Sequence, residues 1–454
     1  MFRIHTRWVP PCIALLFSAC VLAPEGLDDE QTRLADNGTP YLAQRSEREL
    51  PELSARPTWR ELLQRAFLTH GEIEAAWQEW RAAVARVTGE STWPSTNVEI
   101  GFEHMFSPSR MSAWERTSLG VGFDPDTMLE LPFKTELMGK VALADARAAG
   151  ERFRAAKFAL QRDFLERWVE LARLEEEIAL KAEILALQSS ASSAAERAAV
   201  IGSGSASLVR TKIELAVLEN EILGLQSSAL QAAARLRGIA HVTSEVVISA
   251  RDSWPLRDAP PVADDVILAH AALSNPALTE LARAVEGRED ALELARAAWW
   301  PNISPRAGLT GSVTRFFGAS FSLPVALPRV RAEIEQAKAD LARYTALAHQ
   351  GATDVNAAVT AELLALREAE RAHAFLKDTI IPLANELSFF AGSAYAGGTA
   401  SQMEWIDAMR AVIDARLALL AARAAREVSL ARLEEWMGID WGTLVKTWEV
   451  SDVR

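Results

Sequence analysis

Between Lys134 and Val200 the apolar side chains Phe158, Leu165, Trp168, Leu171, Ile178 and Leu185 recur at intervals of three and seven, with Glu, Arg and Lys filling most of the space between them. That spacing is the seam of a coiled coil. Because no proline interrupts the run, it predicts one helix of ~100 Å at 1.5 Å per residue. A Gly-rich break at Ile201-Gly202-Ser203-Gly204 frees the backbone to reverse, and a second striped helix is predicted over Leu208 to Leu236. The plan then returns: a helix over Arg329 to Ala391 broken only at Pro382 near its end, a break at Tyr395-Ala396-Gly397-Gly398, and a helix over Met403 to Met437. Each copy is therefore a long helical hairpin.

Elsewhere the period is two rather than seven. Val98, Ile100, Phe102 and Phe106 oppose Asn97, Glu99, Gly101 and Glu103, and Leu119, Val121 and Phe123 oppose Ser118, Gly120 and Gly122. Ala307 and Leu309 oppose Arg306, Gly308 and Thr310, while Phe317, Ala319, Phe321 and Leu323 oppose Gly318, Ser320 and Ser322. Four short strands are predicted, each with one apolar face to be covered by protein or by lipid. In lipid each unpaired backbone group costs several kcal/mol, so the strands must close into a barrel, and four cannot close one. Several chains would have to share it.

The two hairpins and their strands form a duplicated unit of roughly 190–195 residues: Gly204-Ser205-Ala206-Ser207 answers Gly398-Thr399-Ala400-Ser401, and Leu131-Pro132 answers Leu323-Pro324. The expected organisation is a signal peptide over 1–19, an extended polar linker over 20–56, a first repeat over 57–250, a second over 251–440 and a tail over 441–454. Within the first repeat a helical stretch from Trp59 to Val87 ends at Trp93-Pro94, and its counterpart ends at Trp300-Pro301. The fold class is mainly α with short β.

Arg3 and Arg7 precede the apolar run Ile13 to Phe17, and Ser18-Ala19 lead to Cys20, the layout of a secretory signal too short to span a bilayer. Phe17-Ser18-Ala19-Cys20 is similar to the bacterial lipobox, which makes Cys20 a candidate for lipidation. Cys12 and Cys20 are the only cysteines, so a mature chain that begins at Cys20 can form no internal disulfide. No later segment reaches the ~18 uninterrupted apolar residues of a membrane-spanning helix. A net charge of −13 argues against nucleic acid as a partner.

The ordered set resembles the TolC-like outer-membrane efflux factor family over nearly all of the mature chain. The residues that carry it are Asn275-Pro276-Ala277-Leu278, the two Trp-Pro pairs, Leu323-Pro324 leading into Arg331 through Ala339, and Tyr395 through Ala408. The resemblance implies a homotrimer whose four strands per chain make a twelve-stranded outer-membrane barrel, Val98, Ile100, Phe102, Leu119, Val121, Phe123, Phe317 and Phe321 facing lipid. It implies coiled-coil hairpins crossing the periplasm, where the tips around Gly202, Gly204, Tyr395, Gly397 and Gly398 dock a periplasmic adaptor coupled to an inner-membrane pump. The chain would be the passive exit duct of a tripartite efflux or secretion system, with most of its mass in the periplasm of a Gram-negative-type bacterium.

The same resemblance places acidic residues of the periplasmic aperture at Glu404 and Asp407, three apart on one helix face continued by Ala411 and Asp414. Asp407 has a second reading, a solvated side chain paired to Arg410. Tyr395 is either a gate or the packing anchor of a turn, and an aromatic beside Gly397-Gly398 favours the anchor. No nucleotide fingerprint is present, and the seven histidines show no metal-ligand spacing, so neither a cofactor, a metal nor an enzyme activity is expected. The competing reading is a periplasmic coiled-coil lipoprotein that tethers or spaces partners and has no pore. The parity-sorted strands count against it.

Overall fold

In the computed structural model of the protein the described residues are 20–106, 112–124, 126, 128–200, 205–255, 263–312, 314–322 and 325–441. The signal region 1–19, Gly202, Gly204, Leu323-Pro324 and nearly all of the 441–454 tail lie outside them. In chain order the elements are β1 (Cys20–Val21), α1 (Leu27–Gly38), α2 (Trp59–Thr69), α3 (Gly71–Glu90), β2 (Thr92–Trp93), β3 (Val98–His104), β4 (Thr117–Phe123), α4 (Pro132–Val200), α5 (Ser205–Ala240), α6 (Asp264–Ser274), α7 (Pro276–Ala297), β5 (Asn302–Thr310), β6 (Thr314–Ser322), α8 (Leu327–Phe375), α9 (Ile381–Ala396) and α10 (Gln402–Met437). The fold is mainly helical with four short strands in its principal sheet, as the periodicities predict.

Contacts divide the chain into two units, one of Met1–Thr39, Ala76–Phe153 and Ala277–Gly351, the other of Pro40–Ala75, Arg154–Pro276 and Ala352–Arg454. In the first, the strands form one antiparallel sheet in the order β3-β4-β5-β6. The register sets Ile100 opposite Val121, Val121 opposite Ala307 and Ala307 opposite Phe317, so every apolar position named from parity except Phe106 and Leu323 falls on one face. Phe106 lies beyond the end of β3 and meets the His104 ring edge-on at 4.8 Å. Lys134, buried in the first turn of α4, donates to the Trp300 carbonyl (2.7 Å) and to Asn302 Oδ1 (2.8 Å), tying the first repeat's helix to the second repeat's strand.

The segment 20–56 differs from the extended linker expected. It forms β1, which pairs with β2, and then α1, whose polar sequence hid a buried edge: Leu27 and Glu30 are covered, and Glu30 accepts a hydrogen bond from Trp80 Nε1 at 2.8 Å. Arg33 lies over the Trp80 ring and pairs with Glu151. One carboxylate satisfied by an indole and a nearby guanidinium let a largely polar helix dock, and apolar periodicity does not register such a device.

The second unit is held by a large apolar core. Phe164, Trp168, Leu171 and Leu174 of α4 pack with Leu62 and Leu63 of α2, Leu236 and Ala240 of α5, and Leu420 and Ala424 of α10. Trp168 stacks on Phe164 and donates from Nε1 to the Ser253 carbonyl at 2.7 Å. The α2 helix starts where Thr58 and Glu61 cap each other reciprocally, which satisfies two otherwise orphaned backbone donors.

The Asn275-Pro276 motif has a local reason. Asn275 ends α6 and donates from Nδ2 to the Trp436 carbonyl at 2.8 Å, while Pro276 opens α7. Gly438 closes α10 with φ +62° and passes so near that a Cβ there would sit 2.7 Å from Pro276 Cδ and 2.8 Å from the Ser274 carbonyl. The predicted break at Pro382 is also moved: the widened turn lies just before it, over Leu376–Ile380, where a π-turn accommodates the missing donor.

Replacing Trp168 with alanine removes a fully covered indole from the second core and takes away the Nε1 donor to the Ser253 carbonyl. A loss of about 3–5 kcal/mol is expected, read as a lowered melting temperature of the detergent-solubilised protein by circular dichroism.

Candidate functional site

The second repeat turns between α9 and α10. The Gly397 N–H donates to the Ser393 carbonyl (3.0 Å), Gly398 takes φ +72°, and Thr399 returns its N–H to the Ala394 carbonyl (2.9 Å). Those bonds satisfy the last carbonyls of α9 and need a left-handed residue, which glycine supplies without a Cβ clash. Tyr395 stacks flat on Trp405 of the returning helix, with ring centroids 5.6 Å apart and planes at 4°. The geometry is that of an anchor across the turn.

Glu404 and Asp407 both reach the surface of α10, whose other face buries Ile406, Val412 and Ile413. Their environments differ. Glu404 is committed to the helix start: its Oε2 accepts from the Ser401 N–H at 2.6 Å and from Ser401 Oγ at 3.1 Å, and Ser401 Oγ accepts from the Glu404 N–H at 3.2 Å. The Ser-Gln-Met-Glu spacing is a capping box, a signal present in the sequence that the aperture reading passed over.

Asp407 is 60% exposed and lies 3.5 Å from Arg410, the pairing that the second sequence reading anticipated. Arg410 in turn donates to Glu214 of α5 at 2.9 Å, and Glu214 also meets Arg210 at 3.2 Å. The Arg410 hydrogen bond, helped by Arg210's hydrogen bond and both charges, holds the Glu214 carboxyl below its usual range against the desolvation that burial imposes. The four side chains thus form a ladder from α5 to α10, each rung worth only about 0–1 kcal/mol at such exposure. Glu214 went unnoticed in the sequence, although its i,i+4 spacing from Arg210 was visible there.

Beside this ladder Leu387, Phe390, Ala391 and Ala394 of α9 and Thr399, Ala400 and Ala408 line an open groove of about 580 Å³ that Glu404 and Asp407 border. It offers an apolar floor with carboxylates at its rim. Apolar side chains also stand uncovered on α5, where Val209, Ile213 and Val217 repeat every fourth residue.

Of the strand residues expected to face lipid, Ile100 (78%), Phe102 (67%) and Phe317 (85%) are the most exposed, Val98, Leu119, Val121 and Phe321 are exposed as well, and Phe123 is half-buried. They share one face of the sheet, while Glu99, Ser118, Arg306 and Ser320 share the other. Strands β3 and β6 each pair on one side only among the described residues. Cys20 begins β1, in register with Trp93. No helix among the described residues is long and apolar enough to cross a membrane.

Two long helical hairpins and a four-stranded sheet, drawn from both repeats, make the fold of the outer-membrane channels. It matches a membrane protein from Pseudomonas aeruginosa at a TM-score of 0.70 and 18% identity, over 87% of this chain and 97% of that one. It matches the outer membrane protein VceC of Vibrio cholerae at 0.67 and 15% (84% and 96% covered), and the open state of the MtrE outer membrane channel of Neisseria gonorrhoeae at 0.66 and 18% (86% and 93% covered). Residues 267–439 match the outer membrane efflux protein family, and the fold as a whole is TolC-like, as the sequence pattern suggests. No curated protein sequence matches the chain.

Because Glu214 is held below its ordinary value, its pairing contributes stability that is complete above the unfolded carboxylate range and is lost only as pH falls through the lower folded value. Arg410→Gln is therefore expected to lower the melting temperature slightly at pH 7, the gap to wild type closing only below about pH 4. A thermal melt series over pH 3–8 checks it.

Proposed function

We propose that the chain is a subunit of a trimeric outer-membrane efflux duct, through which solutes delivered by an inner-membrane pump and its periplasmic adaptor leave the cell. The observation that carries this reading is the sheet, with one exposed face of Ile, Phe, Leu and Val and two unpaired edges. Each such side chain left in water forgoes roughly 1.5–3 kcal/mol, a cost a stable protein does not bear at several neighbouring positions without covering them. Lipid covers the face, and copies joined β6 to β3 satisfy the edges. At about 3.4 Å per residue the nine-residue strands β5 and β6 reach ~30 Å along their own axes, which at a tilt of about 35° covers the ~25 Å apolar band of an outer-membrane barrel.

The uncovered stripe on α5 supports the same assembly, since neighbouring copies would bury it. In this reading Glu404 and Asp407 stand at the periplasmic aperture, where threefold symmetry makes each a ring of three carboxylates that attracts cations. Glu404 does so while capping its own helix, and Asp407 while shared with Arg410. The tips around Gly202, Gly204, Tyr395, Gly397 and Gly398 meet the adaptor. Cys20, held in β1 by its pairing with β2, is where an acyl chain would add a second hold on the membrane. The chain is a conduit and takes no cofactor.

Purified protein is expected to run as a detergent-resistant trimer and to conduct in planar bilayers; a monomeric, non-conducting product would favour the tethering lipoprotein instead. Ile100→Lys, a cation placed on the lipid face at a cost of about 2–4 kcal/mol near the bilayer midplane, is expected to deplete trimers from the outer-membrane fraction. Shortening the tip around Gly398 is expected to leave trimers intact and abolish efflux, measured as restored sensitivity to an exported solute.

A further inference from the structure

The second unit has another cleft, and it is basic where the groove beside the turn is acidic. It opens over about 480 Å³ where the end of α2 meets α4 and the end of α5, and His70, Arg167, Arg235, Gly238 and Ile239 line it with Asp163 as the sole acid of its wall. The His241 ring stands edge-on to His70, 6.4 Å between centroids. Arg45 and Arg65 are close enough for their charges to act on His241. Asp163 is already shared with Arg167 at 2.9 Å, one turn along the same helix.

Arg45, Arg65 and Arg235 have no carboxylate partner among the described residues, although most arginines elsewhere in this acidic chain do. Two polar atoms are also stranded: the Arg65 Nε donor and His70 Nδ1 are buried from solvent and make no hydrogen bond. A buried donor without an acceptor is costly and calls for an explanation, and like charges crowded together add to the cost. The negative end of the α5 dipole offsets only about half a charge. Burial holds the His241 ring below the usual imidazole range, the Ile239 carbonyl opposes that, and the charges of Arg45, His70 and Arg65 reinforce it.

We infer that this cleft is a binding site for a phosphate-class oxyanion, with Arg235 and His70 of its lining as donors and Arg65 and Arg45 beside it supplying further positive charge. A tetrahedral dianion brings enough acceptor oxygens to reach several of these groups at once and balances more charge than a single carboxylate can. Arg167 completes the wall while holding Asp163 away from the anion. The acid of the site is thus neutralised before a ligand arrives.

Calorimetric titration of the detergent-solubilised full chain with inorganic phosphate, at neutral pH and low salt, tests this. Saturable binding is expected, weakened by at least about tenfold in the double variant Arg65→Gln, Arg235→Gln and by less when both become lysine, because lysine keeps the charge and loses the fork of donors. Short-chain phosphatidylglycerol in a parallel titration separates the sources: competition with phosphate assigns the site to a lipid headgroup, and its absence assigns it to a free anion. Phosphate that fails to saturate, that binds a helical and trimeric glutamine variant as tightly as wild type, or that binds no better than acetate overturns the proposal. Bilayer conductance of the same variants is expected to be unchanged, so either outcome leaves the duct reading to its own test.

Discussion

Backbone hydrogen bonding in the sheet is the constraint on which the rest depends. A strand that faces hydrocarbon has no water to turn to, so each N–H and C=O on an open edge must find another strand or forfeit several kcal/mol. Among the described residues the four strands of the principal sheet are joined through β3-β4, β4-β5 and β5-β6, and the outer edges of β3 and β6 stay open. Its apolar face is equally unfinished. In the proposed assembly one act removes both deficits, so that side chains as far apart along the chain as Ile100 and Phe317 serve a single purpose.

The helices impose a different kind of order. Their cores close within the chain: Trp168, Phe164 and Leu236 are fully covered without any neighbour, and the ends of the helices are fastened by specific polar contacts such as Asn275 on the Trp436 carbonyl. The apolar stripe of Val209, Ile213 and Val217 is then the helical counterpart of the open strand edges, a surface left for other copies.

The periodic elements were legible in the sequence because burial enforces their period. The seam from Phe158 to Leu185 and the parity of Val98, Ile100 and Phe102 follow directly from which face a side chain occupies, and the helices and sheet fall where those patterns place them. What escaped was held by polar chemistry. The α1 helix docks through Glu30 on Trp80, and no apolar stripe announces it. Of the two acids named from position, Asp407 came with its partner Arg410, but the other contacts did not: Ser401, three residues before Glu404, was a local signal left unused, and Glu214, nearly two hundred residues from Arg410, is a tertiary contact that no local signal announces. The basic cleft is of the second kind, since Arg45, His70 and Arg235 converge only once α2 and α5 have packed.

Duplication has also left the two arms of the chain mechanically unequal. The first repeat runs through one uninterrupted 69-residue helix, whereas its counterpart loses its regular ladder at Leu376–Ile380 and resumes as α9, whose described residues include none that are fully buried. An intact column resists bending along its whole length, and a column with a widened turn concentrates bending at that turn. The copy that carries Glu404 and Asp407 is therefore the more compliant of the two.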